Sequence, residues 1–403
     1  MAGRAQGRPE PTGIDHAGGD PSAAAAGLSA GLGGLTDWLR ERRNRLIARR
    51  RFRHAAARFP LTRPLAQRQA RALFDLCAGF VYAQILQACV ALAIFQRLAD
   101  GPKSAAAIGA ETGLSAAAAD RLLAGAASLG LLERRRGGRY GLSMLGATVH
   151  GDAGIRAMVA HHTMLYRDLA DPVALLKGDV AETALGRFWS YAGGASGAAG
   201  PSADTAAYSD LMAASQDMIL AEVVDAYPFE RHSHLLDVGG GAGRFACGVA
   251  EAAPKLRLTV FDLPTVADRA AEAVAEAGLS GRIATEGGDF TRQALPAGFD
   301  LVTLVRVVHD HDDAAAQALL DRVYAALPPG GVLLVAEPMA QTPGVDPVGD
   351  AYFGFYLLAM GSGRPRTKAR LSAMIRAAGF ERVREHKTRQ PMIVRVLGAQ
   401  KPL

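Results

Sequence analysis

Cysteine is scarce in this chain of 403 residues. Its three cysteines, Cys77, Cys89 and Cys247, form no CxxC pair. An odd number without paired spacing argues against both a disulfide framework and a thiolate zinc site. We therefore expect a reducing compartment, the cytoplasm.

A secretory signal is also lacking, because no charged segment followed by an apolar run opens the chain. The opening residues are rich in Gly, Ala and Pro, which predicts a disordered leader over residues 1–35.

Acidic residues are nearly missing from the segment that follows. Between Arg40 and Arg71 the chain carries twelve arginines and a single acid, Glu41. Such a block favours an anionic partner, and apolar residues interleaved with the arginines suit a helix lying on a membrane surface. We predict a basic helical arm over residues 36–72. A solvated arm folded onto its own domain or onto a partner subunit, and a nucleic-acid contact, remain open.

Long hydrophobic runs are limited to one, from Leu76 to Phe95, with Gln84 and Gln87 in its middle. We interpret it as a buried helix at a subunit interface, with a membrane span as the alternative. Two short helices and a hairpin follow, which predicts a winged-helix dimerisation domain over residues 73–150. Its second helix, from Ala116, displays few side chains that read bases, so we expect assembly and no nucleic-acid partner.

The last part of the chain alternates short apolar runs with helical stretches. A helical connector over residues 151–230 leads into five strand-like runs beginning at His234. The alternation predicts an α/β fold, a doubly wound, Rossmann-like and mostly parallel sheet over residues 231–403. The strand-like runs are LLDV (235–238), RLTVFD (257–262), RIATEG (282–287), LVTLVRVV (301–308) and VLLVAE (332–337).

A glycine-rich turn follows the first of these strands. Glycines at 239, 241 and 243 come after Asp237, and Arg244 stands where a dinucleotide fingerprint needs a small residue. A nicotinamide site is thus disfavoured. The turn still lets a ligand approach the backbone at a helix N-terminus, which favours an anionic group such as a carboxylate.

Acidic residues end the next two strands. Asp262 is placed to accept hydrogen bonds from two ribose hydroxyls, and Asp289 and Phe290 to meet the amino group and the ring of an adenine. The alternatives are a helix cap at Asp262 and a turn at Asp289.

The segment VVHDHDD, 307–313, leaves three interpretations open. His309 and His311 with Asp312 or Asp313 would suit a metal ion. Alternatively His309 is a base, and Asp312 or Asp313 caps the helix that begins near Ala314. The third interpretation is a polar loop. We favour the base and expect no metal.

The motifs LLDVGGGAGRFA, TVFDLP, GGDF, VVHDHDD, LLVAEP and GRPRT, in this order, resemble those of S-adenosylmethionine-dependent small-molecule O-methyltransferases of plants and bacteria. The resemblance covers roughly residues 75–398. Stretches such as HHTMLYRDLADPVALL and AMGSGRPRTKARLSAMIRAAGF resemble the hydroxyneurosporene (demethylspheroidene) O-methyltransferases of carotenoid synthesis in purple phototrophic bacteria. The resemblance implies a homodimer that methylates an apolar hydroxylated carotenoid.

By this resemblance His309 is the catalytic base, Glu337 orients it, and Asp310 lies near the acceptor. The residues implied to hold S-adenosylmethionine are Asp237, Gly239, Gly241, Gly243, Asp262, Asp289, Phe290, Ser215, Gln216 and Arg306. The candidates for the acceptor pocket are His161, His162, Met164, Met212, Met218, Phe353, Phe355, Tyr356 and Met360, several of which core packing would equally explain.

Two positions depart from the family pattern. His311 stands where relatives have Trp, and Pro365 replaces an acid before Arg366 and Thr367. Methylation of another apolar acceptor, such as a bacteriochlorin or an aromatic polyketide, remains an alternative. So does a winged-helix regulator that senses S-adenosylmethionine.

Overall fold

The computed structural model describes residues 21–192 and 216–403, which excludes Met212 and Ser215. The chain divides into two compact units, Met1–Ala83 and Gln84–Leu403, and each is described by itself.

The N-terminal unit is helical. It contains α1 (Pro21–Ala48), α2 (Arg50–Arg58) and the first part of α3 (Arg63–Ala91). Helix α1 already covers residues 21–35 of the expected leader, in keeping with the helix-forming alanines at 23–26. In this respect the prediction of a disordered leader is corrected.

Helix α3 carries the apolar run that was expected to be buried at a subunit interface. Leu76 is 82% exposed and Phe80 71% exposed, and burial within the chain begins only at Cys89. The helix ends at Ala91, and Phe95 belongs to a separate short helix, α4 (Ile94–Arg97). By length and composition α3 passes the test for a membrane span, but one such helix is weak evidence. Among the described residues, apolar side chains in the first half of α3 are exposed, whereas Ile85, Leu86 and Val90 pack against the core of the second unit.

The winged-helix pattern is confirmed in the second unit. Helices α5 (Ala105–Thr112) and α6 (Ala116–Ser128) precede strands β2 (Leu132–Arg135) and β3 (Arg139–Leu142), which pair antiparallel beside β1 (Lys103–Ser104). The Ser115 hydroxyl accepts a hydrogen bond from the Ala118 amide and so caps α6. Asp120 on α6 accepts a hydrogen bond of 2.8 Å from the Tyr140 hydroxyl, so one of its two charged residues serves packing.

The connector is helical where it is described. It comprises α7 (Met144–Gly151), α8 (Ala153–Asp168), α9 (Pro172–Lys177), α10 (Ala184–Ala192) and α11 (216–226). The Gly-rich run after Ala192 lies outside the described residues.

The C-terminal sheet has seven strands in the order β6-β5-β4-β7-β8-β10-β9. The five expected strands pair in parallel, and the last two are antiparallel and were not predicted. The strands are β4 (His234–Val238), β5 (Arg257–Asp262), β6 (Ile283–Gly287), β7 (Leu301–Val305), β8 (Val332–Glu337), β9 (Glu381–His386) and β10 (Arg395–Gln400).

Helices cover this sheet, and its central strands are buried on both faces. Leu235 belongs to one apolar cluster and its neighbour Leu236 to another, because alternate strand residues point to opposite faces. The helices are α12 (Arg244–Ala252), α13 (Pro264–Glu276), α14 (Asp313–Ala326), α15 (Gly354–Met360) and α16 (Lys368–Ala377), and a π-helical turn, Val348–Phe353, leads into α15.

Candidate active site

The candidate site lies at the carboxyl ends of the five parallel strands. Their register puts the glycine turn after β4, Asp262 at the end of β5, Asp289 after β6, His309 after β7 and Glu337 at the end of β8. Because parallel strands end at the same edge, residues far apart in sequence meet there.

The glycine turn adopts the conformation for which its glycines are needed. Gly239, Gly241 and Gly243 have φ of 69°, 57° and 77°, where most other residues are strained. A Cβ on Gly239 would lie 2.8 Å from the Val307 side chain, and one on Gly240 2.5 Å from Asp237 Oδ2. The Gln216 side-chain amide lies 3.6 Å from the corresponding point at Gly241. The turn is therefore a close-fitting backbone cradle.

Asp262 ties the cradle to β5. Its Oδ2 accepts a hydrogen bond of 2.8 Å from the Gly241 amide, and its Oδ1 accepts one of 2.7 Å from the Leu263 amide. Burial raises the pKa of this carboxyl, and the two amide hydrogen bonds oppose the rise. The N-cap of α13 is Leu263, so Asp262 does not cap that helix as the alternative proposed. Each oxygen retains a lone pair for a ligand.

Asp289 and Phe290 follow β6 on the same edge. The Asp289 carboxylate accepts hydrogen bonds from the Thr291 amide, 2.8 Å, and hydroxyl, 2.6 Å, which lower its pKa. Asp289 thus forms the turn that the alternative proposed. Phe290 lies beside Gly239, and the His311 ring meets it edge-on with 5.6 Å between centroids. This places His311, whose role the sequence left open, on the cradle side of the turn that follows β7.

Asp237 lies beneath the cradle. It is 1% exposed, its Oδ1 accepts a hydrogen bond of 2.7 Å from the Thr303 hydroxyl, and its Oδ2 has no partner among the described residues. Burial raises the pKa of Asp237 to about 7, although Thr303 opposes the rise. Asp237 therefore joins β4 to β7 under the turn.

The catalytic turn, residues 307–311, follows β7. Val307 and Val308 were expected to continue the strand, but it ends at Val305 because Arg306 adopts φ of 56°. A 3₁₀ turn, Val308–Asp310, then carries His309 inward, where it is 4% exposed. His309 Nδ1 pairs with Glu337 Oε2, and His309 Nε2 lies 2.9 Å from Asp310 Oδ1.

Glu337 supports this turn as well as the imidazole. Its Oε1 accepts hydrogen bonds from the Val307 amide, 3.1 Å, and the Val308 amide, 2.7 Å. One carboxylate therefore fixes the backbone of the turn and the ring that it carries.

The flanking carboxylates govern the protonation of His309. Burial lowers the pKa of the ring, but Asp310 and Glu337 outweigh burial and raise the pKa to about 10. In turn, although burial opposes it, His309 lowers the pKa of Asp310. The ring is therefore mostly protonated at neutral pH and becomes the neutral base as the pH rises.

The two acids after His311 correct the expected helix cap. Asp312 occupies the N-cap position of α14, but its side chain makes no capping hydrogen bond. Asp313 instead forms ion pairs with Arg366, 2.9 Å, and Arg370, 3.0 Å. Within residues 21–192 and 216–403, no three His, Cys, Asp or Glu side chains are grouped as metal ligands would be.

Two histidines of α8 meet two tyrosines near α15. His161 Nε2 lies 2.8 Å from the Tyr356 hydroxyl, and His162 Nε2 lies 2.8 Å from the Tyr352 hydroxyl. Burial lowers the pKa of His161 to about 4 and also lowers that of His162, while it raises the pKa of Tyr352 to about 12. Burial thus disfavours a charge on both histidines and on Tyr352.

The other pocket candidates divide between the site and the core. The Phe353 ring centre lies 6.3 Å from that of His309. Met164 and Met360 pack against the apolar cluster that contains Tyr356, as the core-packing alternative holds. Phe355 is 36% exposed, and Met218 is half-buried on α11.

Sequence reasoning overlooked the role of Arg366, which was noted only as part of GRPRT. The residue is 5% exposed and binds the catalytic turn through backbone carbonyls. A buried arginine without a spacing pattern gives no signal in a single sequence.

Fold and site together define a class. One edge of the doubly wound sheet carries a glycine cradle, an acid at the end of the next strand and a buried His–Glu pair. This arrangement is typical of α/β enzymes that use a nucleoside-containing cofactor.

Comparison with known proteins identifies the family within this class. Residues 166–381 match an O-methyltransferase domain, and residues 74–152 match an O-methyltransferase dimerisation domain. The chain belongs to the O-methyltransferase family. The dimerisation match supports a homodimer, and the exposed apolar residues of α3 from Phe74 onward lie within it.

Two curated relatives match nearly the whole chain. The demethylspheroidene O-methyltransferase of Cereibacter sphaeroides is 42% identical over 358 residues, 89% of this chain and 94% of its own. That of Rhodobacter capsulatus is 38% identical over 365 residues, with coverage of 89% and 88%. The crystal structure of human N-acetylserotonin methyltransferase in complex with SAM matches with a TM-score of 0.68 and 25% identity, covering 83% of this chain and 98% of that one.

Proposed function

We propose that this enzyme transfers a methyl group from S-adenosylmethionine to the hydroxyl of a carotenoid and yields a methoxycarotenoid. The observation that carries the proposal is the buried Glu337–His309–Asp310 array at the sheet edge, in a chain 42% identical to a demethylspheroidene O-methyltransferase. When bound, S-adenosylmethionine supplies an electrophilic methyl group on a sulfonium.

The residues of the edge fit this cofactor. Space excludes a side chain at Gly239 and Gly240, and positive φ favours glycine at Gly241 and Gly243, so the cradle admits a ligand to the backbone. The Asp262 carboxylate has lone pairs for ribose hydroxyls. Phe290 offers a ring to an adenine. Gln216 lies beside Gly241, and the charge of Arg306 acts on Asp310. Asp237, beneath the cradle, acts as its support.

The proton of the acceptor hydroxyl goes to the neutral form of the His309 ring, whose fraction increases as the pH rises toward its pKa of about 10. An alcohol has a pKa near that of water, about 15.7, so even a ring with a pKa of about 10 leaves a gap of about 6 units, or about 8 kcal/mol. A free alkoxide does not accumulate, and proton removal accompanies formation of the C–O bond. Glu337 holds the ring in one orientation throughout.

An apolar acceptor suits the surroundings of this array. Phe353 faces His309, and burial disfavours the charged forms of His161 and His162, which lie against Tyr356 and Tyr352. A long polyene gains from such walls because aromatic surfaces bury much apolar area.

A direct assay tests the proposal. Purified enzyme, methyl-labelled S-adenosylmethionine and hydroxycarotenoids should give labelled methoxycarotenoids on pigment chromatography. His309→Ala should bind S-adenosylhomocysteine with an unchanged Kd yet lose turnover, and His150→Ala is the matched control. Label entering only bacteriochlorins or aromatic polyketides would replace the carotenoid assignment. Retained turnover in His309→Ala would remove the base.

We further propose that the basic arm, residues 36–72, contacts an anionic membrane surface, so that the cytoplasmic enzyme meets its lipid-soluble acceptor. Helix α2 carries basic residues on one face, since Arg50, His54 and Arg58 recur at helical spacing around one open cleft. Phe52 falls on the opposite face and is 37% exposed, and Phe59, which follows the helix in extended conformation, is 55% exposed. Arginine headgroup contacts beside apolar insertion are the means by which such helices bind bilayers.

Vesicle sedimentation tests this contact. The enzyme should bind vesicles of phosphatidylglycerol and phosphatidylcholine but not of phosphatidylcholine alone, and salt should weaken binding. Arg50→Ala/Arg51→Ala/Arg58→Ala should reduce binding at least about tenfold, against a control that removes the exposed arginines Arg136, Arg269 and Arg376. Equal binding by both variants would refute the proposal. Salt-dependent affinity for duplex DNA instead would favour a nucleic-acid partner.

A further inference from the structure

The backbone of the catalytic turn is held by a short segment far along the chain, residues 362–366, which we call the strap. The Ser362 hydroxyl donates a hydrogen bond of 2.9 Å to the Asp310 carbonyl, and the Arg364 amide donates one of 2.9 Å to the His309 carbonyl. The Arg366 guanidinium donates 2.7 Å hydrogen bonds to the carbonyls of Val308 and His311. Four successive carbonyls, from Val308 to His311, are therefore all bound by the strap.

The strap packs directly against the turn. Gly363 has φ of 81°, and a Cβ there would lie 2.1 Å from the His309 carbonyl oxygen. A side chain at this position would push the strap away from the turn, since both the conformation and the space exclude it.

Arg366 is suited to this place by its shape. Its three nitrogens reach three different acceptors: Val308 O, His311 O and, through Nε at 2.9 Å, Asp313 Oδ1. A planar, always charged guanidinium serves these diverging acceptors at once, which a lysine ammonium cannot do in the same geometry. The Arg366 carbonyl in turn accepts a hydrogen bond of 3.0 Å from the Ala340 amide, three residues beyond Glu337.

From these contacts we infer that Arg366, with Ser362, is a positioning residue for methyl transfer: the strap fixes the turn so that His309 and Asp310 keep the mutual geometry that accepts the proton. Glu337 holds the amide side of the turn and the strap holds its carbonyl side. The inference rests on the proposed role of His309, which the His309→Ala variant tests separately.

The contacts of the strap also explain how Pro365 is accommodated. Proline lacks an amide hydrogen, and the donors to the turn come from its two neighbours, Arg364 and Arg366. The acid that relatives carry at this position is therefore not needed for the hold on the turn.

Steady-state kinetics with the labelled cofactor and a hydroxycarotenoid test the inference. Arg366→Met should lower kcat by about 100-fold and Arg366→Lys by about tenfold, while KM and the Kd for S-adenosylhomocysteine stay within about twofold. The pH profile of kcat should move to lower pH in both variants, because a loosened turn separates His309 from Asp310. A purely structural arginine would not move that profile.

Arg370→Ala is the matched control, because it removes another partner of Asp313 without touching the turn. Ser362 is exposed, so Ser362→Ala should fold even if Arg366→Met does not, and it should lower kcat about threefold with the same direction of pH shift. Wild-type kcat and pH profile in both Ser362→Ala and Arg366→Lys would overturn the inference.

Discussion

The catalytic turn and the basic arm both carry charge, and they hold it in opposite ways. In the turn, His309 is buried between two carboxylates, and every backbone carbonyl from Val308 to His311 has a donor. In the arm, Arg40 and Arg45 make only exposed ion pairs with neighbours on their own helix.

The difference follows from the surroundings of each charge. Burial strengthens electrostatic interactions, so the carboxylates beside His309 raise its pKa to about 10 and make the neutral ring a stronger base. Water and salt screen the arm, so its arginines act together and at longer range. Substitutions in each region test this difference.

The largest effect is expected from Glu337→Gln. Glutamine is uncharged and cannot both orient the imidazolium and stabilise its charge, so kcat should fall by about 10²–10⁴-fold. Initial rates at saturating cofactor measure it. Glu385→Gln, on the edge strand β9, is the control. A loss below tenfold would mean that Glu337 does not support the base.

The next effect is a shift in pH dependence. Asp310 and Glu337 together raise the pKa of His309, so the kcat of the wild type should increase from neutral pH toward about pH 10. Asp310→Asn removes one of the carboxylates and should lower the midpoint by about 1–3 pH units. Rates from pH 6 to 10.5 with the same acceptor measure both midpoints. An unchanged midpoint would separate Asp310 from the titrating group.

A third variant tests the exposed apolar surface of α3. Phe80 on α3 is 71% exposed in one chain and lies within the dimerisation match. Phe80→Asp should weaken the homodimer by at least about tenfold, or about 1.4 kcal/mol, because it places a carboxylate in an apolar interface. Sedimentation equilibrium measures the dissociation. Phe59→Asp, outside the match, should leave it unchanged, and equal effects would contradict this view of α3.

The smallest effect is expected in the arm. Arg45→Ala removes an exposed ion pair with Glu41 of 3.4 Å, and the free energy of unfolding should change by less than about 0.5 kcal/mol. Urea denaturation measures it. A loss above about 1 kcal/mol would show that the arm holds its charges as tightly as the catalytic turn.

Much of the fold could be predicted from sequence because local patterns carried it. The five parallel strands are apolar runs, and Ser115 and Gly113 mark the bounds of two winged-helix helices. Strands β9 and β10 were not predicted because ERVREH is mostly charged and Gly398 interrupts the apolar residues of RVLGAQ. The first half of α3 is exposed within one chain, which agrees with the expected subunit interface, but an apolar helix alone does not specify what covers it.

By itself the sequence determined which groups are present and at which strand ends they stand: the glycine cradle, Asp262, Asp289, His309 and Glu337. Strand period and glycine conformation are local properties, and parallel pairing then brings these ends to one edge. Only the tertiary structure decided how the groups pair. The protonation of His309, the place of His311 beside Phe290 and the hold of Arg366 on the turn depend on contacts between segments that are distant in sequence, and those contacts depend on how the whole domain packs.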